Sequence, residues 1–172
     1  MKKWISLLLV LCIALSLSAC GRKKAASLTG TMEENVNRIM EKNPVEFMGG
    51  LMPVDLKDTS EEGLWALKNY TGLTSAEKIT DAAVYEPMTG SQAFSLVLVR
   101  VADEKDAKMV AQQMKENIDP RKWICAGADQ VMAAGYGDTV LFIMLDSNLG
   151  KTAQSYVDTF KEVCGGKLDF TV

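Results

Sequence analysis

Residues 92–101 read QAFSLVLVRV, with apolar side chains at alternate positions of both parities. A strand sends successive side chains to opposite faces, so this run cannot leave either face in water. It belongs in the middle of a sheet. Residues 139–145, TVLFIML, have the same character. Shorter candidate strands flank these two. Residues 79–86 (ITDAAVYE) precede the turn Pro87-Met88-Thr89-Gly90, residues 129–134 precede the turn Gly135-Tyr136-Gly137-Asp138, and Leu168, Phe170 and Val172 alternate at the C-terminus. The turn residues supply the backbone freedom that hairpins need.

Helical spacing fills the intervals. Thr31 with Glu34 reads as a capping box, ahead of Met32, Val36, Ile39 and Met40 on one face, and Asn43-Pro44 ends the pattern. A loop containing Gly49, Gly50 and Pro53 follows, then a second capping signal at Thr59 and Glu62, with a short helix through Leu64, Trp65 and Leu67 to Tyr70 and a stop at Gly72. Asp103 is positioned to cap a helix whose Ala107, Val110, Ala111, Met114 and Ile118 share a stripe. From about Leu149 another helix turns Ala153, Tyr156, Val157, Phe160 and Cys164 inward, and Gly165-Gly166 stops it. Hairpins followed by helices predict an α+β domain, an antiparallel sheet with helices packed on one face. Shifting the chain by 46 residues places Ala107 on Ala153, Val110 on Tyr156 and Met114 on Phe160. That suggests two β-β-α units, although any two amphipathic helices overlap in part.

The N-terminus is of another kind. Lys2 and Lys3 precede an uncharged run from Ile5 to Leu17. It is shorter than the about 20 residues a spanning helix needs, and has the form of an export signal. Leu17-Ser18-Ala19-Cys20 resembles the lipobox of bacterial lipoproteins. That resemblance implies cleavage between Ala19 and Cys20, a diacylglyceryl thioether on the Cys20 sulfur, and a further acyl chain such as palmitate on the new amine. Two chains anchor a protein stably where one is marginal. The chain then divides into a signal peptide (1–19), a lipidated tether (20–30) and one domain (31–172).

The cut changes the charge. The whole chain of 172 residues carries −3; losing Lys2 and Lys3 makes it −5, and beyond the collar of Arg22, Lys23 and Lys24 the remainder carries −8. A basic collar suits an anionic lipid surface, or is a solvated tether. An acidic domain is a poor binder of nucleic acid. The ten residues from Gly21 to Gly30 reach at most about 35 Å, which keeps the domain near its membrane.

There is no histidine, which excludes Ser-His-Asp and Cys-His machinery, HExxH zinc sites and an imidazole switch. Gly150-Lys151-Thr152 lacks the earlier glycine of a phosphate-binding loop, because position 145 is leucine. Asn69-Tyr70-Thr71 has the form of a glycosylation sequon, which a bacterial lipoprotein would not normally use. The carboxylates of Glu61-Glu62 and of Asp103, Glu104 and Asp106 fall at helix starts, where the macrodipole favours them. The methionines fall at core spacings, and neither a cofactor nor a metal is expected. Cys125 and Cys164 form a possible disulfide outside the cell, or are two buried thiols. Arg100, in an otherwise apolar strand, needs a partner or a place at the strand end. With Trp123 and Tyr136 in flanking loops it makes a possible binding surface.

The order of parts resembles a family of uncharacterised lipoproteins common in Gram-positive anaerobes. The resemblance runs through Leu98-Val99-Arg100, the helix after Asp103, the segment around Trp123 and the strand pair from Gly135 to Asp146, across residues 31–165. It implies a small α+β domain anchored in the outer leaflet of the cytoplasmic membrane, and it supplies no catalytic residues. The expected function is therefore a non-enzymatic binding or interaction module on the extracytoplasmic face, with a protein or envelope partner. An accessory or ligand-sensing subunit of a transporter or sensor is the alternative, and an enzyme is the least favoured reading.

Overall fold

The computed structural model describes residues 27–172. Helix α1 (Met32–Lys42) leads into strand β1 (Gly49–Pro53), helix α2 (Glu61–Thr71), and the hairpin β2 (Ile79–Pro87) and β3 (Phe94–Val101). After a single 3₁₀ turn come α3 (Ala107–Asn117), the hairpin β4 (Gln130–Tyr136) and β5 (Thr139–Leu145), α4 (Ala153–Val163) and the short β6 (Phe170–Thr171). The strands form one sheet in the order β1-β2-β3-β5-β4-β6, antiparallel throughout. The α+β class and the antiparallel sheet are as the sequence predicts. β3 and β5 pair with each other in the centre, from Phe94 opposite Leu145 to Arg100 opposite Thr139.

The helices cover both faces of this sheet, not the single face expected. α1 and α4 cover Leu96, Leu98, Leu141, Ile143 and Leu145 on one side. α2 and α3 cover Val97, Val99, Val140, Phe142 and Met144 on the other. The reason was already in β3 and β5: a strand apolar on both faces needs a cover on each. Burying one such Leu, Ile or Phe side chain contributes about 1.5–3 kcal/mol, and every residue of β5 is buried. The order β-β-α does occur twice, but α3 packs over β4 and β5 from one side while α4 packs over the same hairpin from the other. The two stretches are thus not equivalent units.

Local chemistry sets most element ends. Thr31 accepts from the Glu34 N–H while Glu34 reaches back to the Thr31 N–H, closing the expected capping box. At α2 the cap is Ser60, accepting from Gly63 N–H, not Thr59. α2 ends at Gly72 with φ +74, where a Cβ would come within 2.7 Å of the Met114 carbonyl oxygen. Only glycine meets both demands, and this lets α2 and α3 approach. Asp103 caps the 3₁₀ turn Glu104–Asp106 instead of α3 itself. β4 continues through Gly135 and Tyr136, leaving Gly137 (φ +56) and Asp138 as a two-residue turn. The loop expected around Gly49 and Gly50 is the edge strand β1. The body also starts before Thr31, since Leu28 is buried in the core under α1.

Candidate functional site

Arg100 closes the end of β3, and its guanidinium holds the start of the described chain. Nη2 donates to the carbonyl oxygens of Leu28 at 2.6 Å and Gly30 at 2.9 Å. Two carboxylates flank it: Asp81 Oδ2 lies 3.8 Å from Nη1 and Asp138 Oδ2 lies 3.7 Å from Nε. The same carboxylates bind the N-terminal segment directly. Asp138 accepts from the Ser27 hydroxyl, and Asp81 accepts from the Met32 N–H at the start of α1. The result is a clasp of one base and two acids that fixes where residues 27–32 leave the domain. Arg100 is therefore partnered at a strand end, as its setting requires.

Tyr136 and Trp123 do not join it in a pocket. Tyr136 shares the α1/α4 side of the sheet with Arg100, across Thr139 of β5. Trp123 packs on the α2/α3 side. Arg100, Trp123 and Tyr136 do not make one combined binding surface, because the sheet stands between Trp123 and the other two. Of the two readings for Cys125 and Cys164, a disulfide or two buried thiols, the structure has two free thiols, of which only Cys164 is buried. Cys164 is buried under the α1/α4 side, and Cys125 is exposed beside the β2–β3 turn, its N–H directed at the Gly90 carbonyl. Burial, with the nearby charge of Asp169 adding to it, pushes the Cys164 thiol up to about 12.

The sequence reading missed Lys122 and Glu86. The loop between α3 and β4 lays Lys122 over the rings of Tyr70 and Trp123, each 5.4 Å away. Its ammonium donates to Glu86 of β2 and to the Asn69 carbonyl, and Glu86 also accepts from the Ser95 hydroxyl at 2.6 Å. The Lys122 and Glu86 side chains are only 6% and 11% exposed. Desolvation lowers the Lys122 pKa from its ordinary value while Glu86 opposes the shift, and burial raises that of Tyr70. This is a satisfied buried ion pair under an aromatic cover, and it pins the 118–129 loop to the sheet. Alternation along β2 could have hinted at Glu86. Nothing in the local sequence marks Lys122 as its partner.

That loop and the β2–β3 turn make an apolar surface. Met48, Met88 and Ile124 are 76%, 69% and 89% exposed. The Met88 N–H bonds to the Met48 carbonyl, and Ile124 lies against Gly90, so the three are contiguous with Cys125. Strand β2 separates this surface from the Arg100 clasp. The seven residue steps from Asp81 to Met88 span about 23 Å. The clasp and the surface therefore occupy opposite ends of the sheet.

Ala19, Cys20 and the collar lie outside the described residues. Among the described residues no helix is long and apolar enough to cross a membrane, and no three His, Cys, Asp or Glu side chains converge as a metal site. The chain matches no known family model, no curated protein and no solved structure.

Proposed function

We propose that this protein is an extracytoplasmic lipoprotein, anchored by Cys20 in the outer leaflet of the cytoplasmic membrane, that acts as a non-enzymatic interaction module. Its partner is an envelope protein. The observation that carries the reading is the opposition between clasp and apolar surface. Arg100, Asp81 and Asp138 hold the chain where it leaves the domain for Cys20. The six residues from Gly21 to Ala26 span at most about 22 Å. A domain held at that end presents Met48, Met88 and Ile124 away from the lipid. Exposed, contiguous apolar side chains mark contact sites on soluble surfaces, and methionine adapts to the shape of a partner. The acidic charge of the domain disfavours nucleic acid as that partner.

In-cell photocrosslinking tests this reading. A photoreactive residue at Ile124 or Met88 is expected to give one discrete adduct in the membrane fraction, and the same residue at exposed Lys108 on α3 none. Replacing Met48 and Met88 by serine should abolish the Ile124 adduct. Cys20→Ala should release the protein from the membrane and remove the adduct with it. Equal crosslinking from Lys108, or none from Ile124 and Met88, overturns the interaction surface. A Cys20→Ala protein that stays in the membrane in processed form overturns the anchor.

A further inference from the structure

A second feature occupies the same end of the sheet, on the α1/α4 side. A cleft of about 260 Å³ lies between the α1–β1 loop, the start of β3 and the residues preceding α4; Glu46, Phe47, Gln92, Phe94, Leu149 and Lys151 line it. Phe47 supplies its aromatic floor, and the buried Phe94 backs that ring from the core. Phe47 meets Phe94 edge-on, with centroids 5.4 Å apart, and Phe94 is in turn backed by Tyr156 at 5.2 Å. The floor cannot shift easily, because Phe94 and Tyr156 are fully buried.

The rim is polar and of both signs. Lys151 is steadied by one bond, from its ammonium to Asn43 Oδ1 at 2.8 Å, and Asn43 is itself fixed by Ser155. An ammonium has three N–H donors, so two remain for a ligand. The Glu46 carboxylate and the Gln92 amide carry no side-chain hydrogen bond or ion pair among the described residues. An apolar floor with a few uncommitted polar groups at its mouth is the usual composition of a small-molecule site. The volume lies below the about 300 Å³ at which drug-sized sites begin, so the occupant is a small metabolite.

We propose that this cleft binds a free α-amino acid with an apolar side chain. The ligand ammonium faces Glu46, its carboxylate faces Lys151, and its side chain lies on Phe47 and Leu149. An uncharged apolar molecule would leave the Lys151 and Glu46 charges unused, and an ion of one sign would be repelled by one of them. A zwitterion of amino-acid size satisfies both and covers the aromatic floor. This site is separate from the Met48 and Ile124 surface, so failure here leaves the interaction reading intact.

Thermal unfolding of the full chain in detergent, with and without L-phenylalanine or L-leucine, tests the proposal. At a hundredfold excess over Kd the midpoint should rise by roughly 5–10 °C. N-acetyl-phenylalanine amide, which has the side chain and neither charge, should give no rise. Glu46→Gln and Lys151→Met should each keep the unliganded midpoint near that of the parent and abolish the ligand-induced rise. The proposal is overturned if neither amino acid shifts the midpoint at 10 mM (about a hundredfold excess for a Kd near 0.1 mM). It is equally overturned if the amide works as well as the amino acid, or if the rise survives both substitutions.

Discussion

Among the described residues, the Lys122 ammonium and the Glu86 carboxylate are the ion pair most completely removed from water. Such a pair adds little net stability compared with an apolar pair of the same shape, whereas breaking it leaves a buried charge unmatched. Lys122→Met should therefore cost about 3–5 kcal/mol in urea unfolding. Adding Glu86→Gln to that variant should recover most of the loss, because Ser95 still has a partner in the new amide. Equal instability of the single and double variants would show that the loop depends on packing alone. Arg100 makes the opposite case. Its position in an apolar strand demanded a partner, but only the fold shows that the partners are Asp81, Asp138 and the carbonyls of Leu28 and Gly30. Residues 72 and 70 positions away in sequence cannot be paired by inspection. Trp123 and Tyr136 pack on opposite sides of the sheet, a separation that their positions in the sequence do not reveal.

At the scale of elements, the legible signals were those with a local cause. The capping box of Thr31 and Glu34, the stripe on α3 and the inward residues of α4 are all where their spacing puts them. The second cap was misplaced by one residue because Thr59 and Ser60 offer the same hydroxyl, and the geometry of Asp58 decides between them. Asp58 accepts from the Ser60 N–H at 2.9 Å, which turns the chain so that Ser60 faces Gly63. Ser60→Ala should accordingly cost about 1 kcal/mol and Thr59→Ala close to nothing, as read from thermal denaturation; a larger loss at Thr59 would contradict this cap. Strand β1 escaped the sequence reading for a different reason. Gly49-Gly50-Leu51-Met52-Pro53 has poor strand propensity, and is a strand because β2 offers it an edge, with Leu51 opposite Tyr85. Tertiary pairing overrides propensity there.

For the molecule as a whole, the sheet is a partition between two cores, and burial on both sides has a consequence for alkaline stability. Cys164 in the folded chain holds its proton to about 12, against 9.0 for an ordinary thiol. Folding therefore binds the proton more tightly. The contribution is complete below pH 9 and is lost as pH rises from 9 towards 12, where the unfolded thiol ionises and the folded one does not. Tyr70 and Tyr156, both raised by burial, act in the same direction at higher pH. Far-UV circular dichroism between pH 8 and 12 should show stability falling from about pH 9, and Cys164→Ala should flatten that fall. An unchanged slope would assign it elsewhere. Short-range patterning is enough for the class of fold, the central place of β3 and β5, most helix boundaries and the demand that Arg100 be partnered. These follow from periodicity and capping, which act within a few residues. Long-range packing is what puts helices on both faces, keeps Cys125 and Cys164 apart, brings Lys122 to Glu86, and sets the clasp and the apolar surface at opposite ends. Those outcomes depend on which side of the sheet each connection passes, a choice made by the packing of two cores at once and by no local run of residues.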